Sequence, residues 1–125
     1  MKVLLSIKPE YANSILDGIK KFEFRRRIHR DSRVCSVVIY ATKPVGKVVG
    51  EFSIKDVLTE HPNLLWERTK DFSGITKEFF FEYFRDRNVG HAIEVNRAKR
   101  YLFPKNISEF LVSGVAPQSY AYIPA

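Results

Sequence analysis

The segment Gly18-Ile-Lys-Lys-Phe-Glu-Phe-Arg25 gathers the side chains best suited to chemistry. Lys20 follows a glycine placed to end a helix. Glu23 and Arg25 then stand two residues apart along a strand, with Lys21 on their face and Phe22 and Phe24 on the other. Side chains at that spacing are roughly 7 Å apart. Cations flanking a carboxylate can orient a polar ligand, or keep the acid ionised while a lysine holds phosphate or carbonyl oxygen. A solvated Glu23–Arg25 ion pair on an open sheet face is the competing reading, and physics alone leaves both open.

Other candidates are more diffuse. The run Arg25 to Arg33 contains five arginines, which pair well with phosphate but also suit a solvated loop. Tyr40, near Lys43, is a candidate for stacking on a base. Asn96-Arg-Ala-Lys-Arg-Tyr101 adds three cations and a tyrosine on a later strand, either as a binding track or as a solvated face. His29, His61 and His91 show no metal-ligand spacing; surface or satisfied histidines are the simpler reading, and His91, opening a strand, is the first to mutate. In Phe79-Phe-Phe-Glu-Tyr-Phe84 four rings share a helical face, which points to core packing. No phosphate-cradling glycine loop, zinc motif or Ser/His/Asp order is present, and no cofactor or metal is expected.

The elements that position these groups follow from periodicity. Lys2 to Ile7 reads as a strand, and Pro9 suits the first turn of a helix running to Asp17, with Tyr11, Ala12, Ile15 and Leu16 as its apolar stripe. Strands are expected at Lys21–Arg27, Val34–Ala41, Lys47–Val57 and Gly90–Phe103, where Pro104 ends the last. Gly50 marks a bulge or close approach. Cys35, inside an apolar run, reads as buried. Helices are expected from His61 to Lys70 and from Thr76 to Arg87, a turn at Asn106–Phe110, and a final strand near Gln118–Ile123. With no linker and no repeat, residues 1–125 form a single α+β domain on a mostly antiparallel sheet.

Composition narrows the partners. The chain has 125 residues, 45% of them hydrophobic and 14% aromatic, enough for one packed domain and against disorder. A formal charge of +7 and a pI near 9.6 favour polyanions. One cysteine excludes an internal disulfide and a cysteine zinc cluster. No apolar stretch matches a signal peptide or a membrane span, so no membrane partner is expected and the cytoplasm is the default.

The run Gly18-x-Lys20-x-x-Glu23-x-Arg25 resembles the signature of the ASCH family, a PUA-like group. Its flanks are similar too: Ser6 to Tyr11 before a short helix, Ile39-Tyr40 with Lys43-Pro44, Val48-Val-Gly50, and Ala116 to Tyr120. The resemblance fades between about His61 and Arg87, which reads as a helical insertion. It implies a PUA-like β-barrel with the first helix packed at its mouth and a cleft between them that binds RNA or a nucleotide. Lys20, Glu23 and Arg25 would line this cleft, with Lys8, Tyr40 and Lys43 at its rim. An enzyme acting on RNA or a modified nucleoside, a ribonuclease or an amidohydrolase, is the alternative, with Lys20 and Glu23 as catalytic groups. In the amidohydrolase branch threonine occupies the position of Glu23, so this chain lacks that hydroxyl nucleophile.

Overall fold

Val3, Leu5 and Ile7 alternate with Leu4 along the first strand, and all four are buried, so this strand must be covered on both faces. The computed structural model describes residues 1–124 and shows how. In chain order the elements are β1 (Lys2–Ile7), α1 (Pro9–Leu16), β2 (Phe22–Arg25), β3 (Ser36–Ala41), β4 (Lys47–Glu60), α2 (Pro62–Thr69), α3 (Lys77–Tyr83), β5 (Gly90–Lys105) and β6 (Tyr120–Ile123). Single 3₁₀ turns lie at Lys70–Phe72 and Ile107–Glu109.

The strands form one six-stranded mixed sheet in the order β2-β5-β4-β3-β1-β6. Only β1 and β3 pair in parallel, across the α1–β2 connection; the other neighbours are antiparallel. The sheet expected as a barrel does not close, since no ladder joins β2 to β6 among the described residues. Its two ends nevertheless meet through Arg25 of β2, which donates to the carbonyl of Ser119 just before β6 at 2.7 Å.

Three apolar clusters hold the layers together. Ala12 and Ile15 of α1 pack with Val3, Leu5, Val37, Ile39, Phe52 and Ile93 on one sheet face. Leu4, Val38 and Val48 form a smaller cluster with Tyr40, Tyr101 and Phe110 on the opposite face. The third cluster joins Phe22, Phe24, Leu58 and Ala92 of the sheet to Leu65, Phe80 and Phe84 of α2 and α3. The helical insertion therefore docks on the Phe22/Phe24 side of β2.

Several expectations need correction. The β4–β5 ladder continues to Glu60↔Gly90, so β4 outruns its expected end at Val57 and the insertion sits on the tip of a long hairpin. β5 also passes Pro104: the register jumps from Gly50↔Arg100 to Val48↔Lys105, and the intervening residues bulge out, so the proline needs no ladder donor. Cys35 is exposed, because β3 begins only at Ser36 and the residues that turn inward are Val34 and Val37. No helix among the described residues is long and apolar enough to cross a membrane.

Candidate functional site

Gly18 ends α1 with φ of +80°, a conformation that costs glycine little, and the chain turns so that Ile19 and Lys20 donate backbone N–H bonds to the Ser14 carbonyl. This turn drives Lys20 inward. Its side chain is 2% exposed, and Nζ donates to the Ser73 carbonyl at 2.6 Å while lying 4.6 Å from the Phe24 ring centroid and 5.5 Å from that of Tyr11. Gly74 lets the insertion close over the lysine stem, since a Cβ there would fall 2.6 Å from Lys20 Cβ and Cγ.

Glu23 is also buried, contrary to a solvated ion pair. Arg25 Nη1 donates to Glu23 Oε2 at 3.4 Å and to the Ser6 carbonyl at 3.4 Å, while Nη2 donates to the Ser119 carbonyl and, at 3.3 Å, to its Oγ. Arg25 is thus committed to internal partners and orients the carboxylate. Burial lowers the Lys20 pKa to about 8 against the opposing pull of Glu23. Burial likewise raises that of Glu23, opposed by Arg25 and Lys20. The two groups are pushed toward each other on the proton-affinity scale, as suits an acid and base working near neutrality.

A cavity of about 280 Å³ opens beside these groups, lined by Lys8, Tyr11, Lys20, Glu23, Arg25 and Arg26 together with Ile75, Phe79 and Tyr83 of the insertion. Lys8 lies at its edge, 5.9 Å from the Phe79 centroid. Arg26 lies over the Tyr83 ring at 4.7 Å, and its N–H donates to the Tyr83 hydroxyl. Four of the six expected residues, Lys8, Lys20, Glu23 and Arg25, are therefore brought together.

Tyr40 and Lys43 are not. Alternation along β3 sends Ile39 toward α1 and Tyr40 into the opposite cluster, and Lys43 is exposed in the turn beyond β3. The Asn96–Tyr101 segment lies outside the cavity as well; Arg100 bonds to Asp17 and Asn13 of the α1 end. His61 caps α2 by accepting from the Asn63 N–H. His91 bonds to Thr59 Oγ1 at 2.9 Å, and the buried Nδ1 of His29 has no partner among the described residues. Burial lowers the pKa of both.

Tyr11 and Tyr83 pack against the core as their spacing predicts, and together with the exposed Phe79 they also wall the cavity. Phe80 and Phe84 form the buried stripe, and Phe79 and Tyr83 form a second one rotated by one residue. That doubled i, i+4 pattern was the available signal.

The ASCH domain model matches residues 5–101, most of the chain and all of the helical insertion. The chain belongs to the ASCH domain family. A relative from Zymomonas mobilis named "ASCH domain-containing ribonuclease" is 32% identical over 124 residues, covering 98% of this chain and 84% of that protein. The crystal structure of ASCH from Zymomonas mobilis superposes with a TM-score of 0.90 at 27% identity, covering 98% of this chain and 87% of that one. Large ribosomal subunit protein uL22 of Ureaplasma parvum is 26% identical over 121 residues, and this chain spans 39% of its length. The insertion thus lies within the ASCH match, where the sequence motifs had faded.

Proposed function

We propose that this ASCH domain binds RNA and takes one nucleotide of a single strand into the cleft between α1, β2 and the insertion. The observation that carries this reading is the meeting of buried Lys20 and Glu23 with the rings of Tyr11, Phe79 and Tyr83 around one cavity. Its volume of about 280 Å³ lies near the lower end for small-molecule sites and suits a single nucleobase. Lys20, Lys8 and Arg26 hold phosphate, the rings stack the base, and Glu23 accepts from an exocyclic amine. In this reading the fold is an open variant of the PUA-like arrangement, unclosed between β2 and β6, with α1 at the mouth of the cleft; the partner is cytoplasmic RNA, and no cofactor takes part.

Fluorescence anisotropy with labelled single-stranded RNAs tests it. Lys20→Ala weakens binding for all sequences, whereas Glu23→Gln changes base preference. Equal binding by wild-type and Lys20→Ala protein overturns the cleft assignment.

A second reading, cleavage of the bound strand, is supported by the converging proton affinities of Lys20 and Glu23 and by the name of the Zymomonas relative. Glu23 removes the proton from a ribose 2′-hydroxyl, whose oxygen attacks the adjacent phosphorus. The bond to the 5′-oxygen breaks and Lys20 protonates that oxygen, leaving a 2′,3′-cyclic phosphate and a 5′-hydroxyl. Chromatography of RNA incubated with each protein checks this, with acylated nucleosides in parallel for amidohydrolysis. Products made by wild type and lost in both variants support cleavage; RNA that is bound but uncut rules it out.

A further inference from the structure

We propose that the hollow lined by Arg27, Arg30, His91 and Tyr120 is a second RNA subsite, holding the phosphate and nucleoside next along a strand whose neighbouring nucleotide fills the cleft. The inference rests on the RNA-binding reading above. This hollow measures about 580 Å³, and Ile28 and Ser119 complete its lining.

Side-chain bonds and chain adjacency link it to the first cavity. Arg25 lines the cleft and bonds to the carbonyl and Oγ of Ser119, which lines the second hollow. Arg26 lines the cleft and Arg27 the second hollow, from Cα atoms about 3.8 Å apart. A strand with one nucleotide in the cleft has these neighbouring arginines within reach of its next phosphate.

Neither Arg27 nor Arg30 has a carboxylate partner among the described residues. Asp31, the acid in their loop, is occupied by Arg33 through bonds of 2.8 and 3.0 Å. The loop is also pinned: the N–H groups of Arg30 and Asp31 both donate to the Tyr122 hydroxyl on β6. Two guanidiniums lining one hollow, one of them on an anchored loop, suit a phosphate. The half-buried Tyr120 ring packs against the core and edge-on to Tyr122 at 5.6 Å, and its remaining surface lines the hollow, where a base can lie against it. His91 Nδ1 is engaged by Thr59, which leaves Nε2 as its hydrogen-bonding atom for the ligand.

The test compares a single-stranded hexanucleotide with a ribonucleoside monophosphate, using wild type, the double variant Arg27→Gln/Arg30→Gln, and Lys20→Ala. Both arginines are exposed, and circular dichroism verifies the fold. The double variant loses about tenfold or more in hexanucleotide affinity, and the slope of log K against log salt becomes shallower by about 1.4, two phosphate contacts at about 0.7 each. Its monophosphate affinity stays within about twofold of wild type. An unchanged hexanucleotide affinity and slope overturn the second subsite, as does an equal loss for both ligands. Lys20→Ala protein that binds both ligands normally refutes the cleft reading instead, so the two failures are distinguishable.

Discussion

Replacing Lys20 with methionine keeps an unbranched apolar stem and removes a charge that the fold has taken out of water. The wild-type side chain is 2% exposed, and its pKa falls from the ordinary 10.5 to about 8. Between these values the unfolded chain binds more protons than the folded one, so wild-type stability rises with pH across that window. The contribution is fully present above 10.5 and is lost as pH falls through about 8. At about 1.4 kcal/mol for each tenfold change in proton affinity, burying the charged form costs roughly 3 kcal/mol at neutral pH. Lys20→Met lacks this dependence. Its stability relative to wild type therefore declines by roughly 2.5 kcal/mol from pH 7 to pH 10, since groups remote from Lys20 titrate alike in both proteins. Urea unfolding reads the difference, with the single tryptophan, Trp66, reporting from its contact with Phe80 and Phe81. A difference flat to within about 0.5 kcal/mol across that range would show that Lys20 keeps its charge as easily folded as unfolded, and the reasoning about its burial would fail.

Gly50→Ala would place a Cβ 2.6 Å from the Lys99 carbonyl oxygen and 2.7 Å from Leu16 Cδ2. The backbone oxygen belongs to the β4–β5 pairing and cannot simply move, so a loss of about 1–3 kcal/mol is expected in thermal or urea unfolding. Phe80→Ala empties a fully buried site and costs about 3–5 kcal/mol, whereas Phe79→Ala costs less than about 1 kcal/mol yet weakens RNA binding. If the two variants were equally unstable, Phe79 would belong to the core and not to the cleft wall. Cys35 reacts with a thiol reagent in native buffer at the rate of an exposed cysteine, and a requirement for denaturant would contradict its position.

Most elements were legible because local signals agreed with the tertiary structure. Pro9 and the Tyr11/Ala12/Ile15/Leu16 stripe placed α1, and the Phe22/Phe24 alternation placed a core-facing side on β2. What local pattern alone left open was the surroundings of the remaining faces. Glu23 lies on the polar side of an alternating strand, a pattern that usually means water, but here that side turns into the cleft beneath α1 and Arg25. Tyr40 was misplaced because an apolar run buried on both sides does not show which face is which. In α3 the adjacent pairs Phe79/Tyr83 and Phe80/Phe84 look like one broad apolar face; only the docking of the insertion divides it into cleft and core.

That docking links stability to chemistry. The insertion leaves and rejoins the sheet at Glu60 and Gly90, which face each other across the β4–β5 ladder, so its base is fixed by strand register. Its helices then seat through Phe80, Phe84 and Leu65 on Phe22 and Phe24. The same segment delivers the Ser73 carbonyl to Lys20 Nζ and Gly74 to the lysine stem. Lys20 owes its dehydration, and hence its lowered proton affinity, to packing that the lysine itself does not make. A core substitution that loosens the insertion should therefore return Lys20 toward ordinary lysine behaviour before the sheet unfolds, because the carbonyl partner and the shielding depart together.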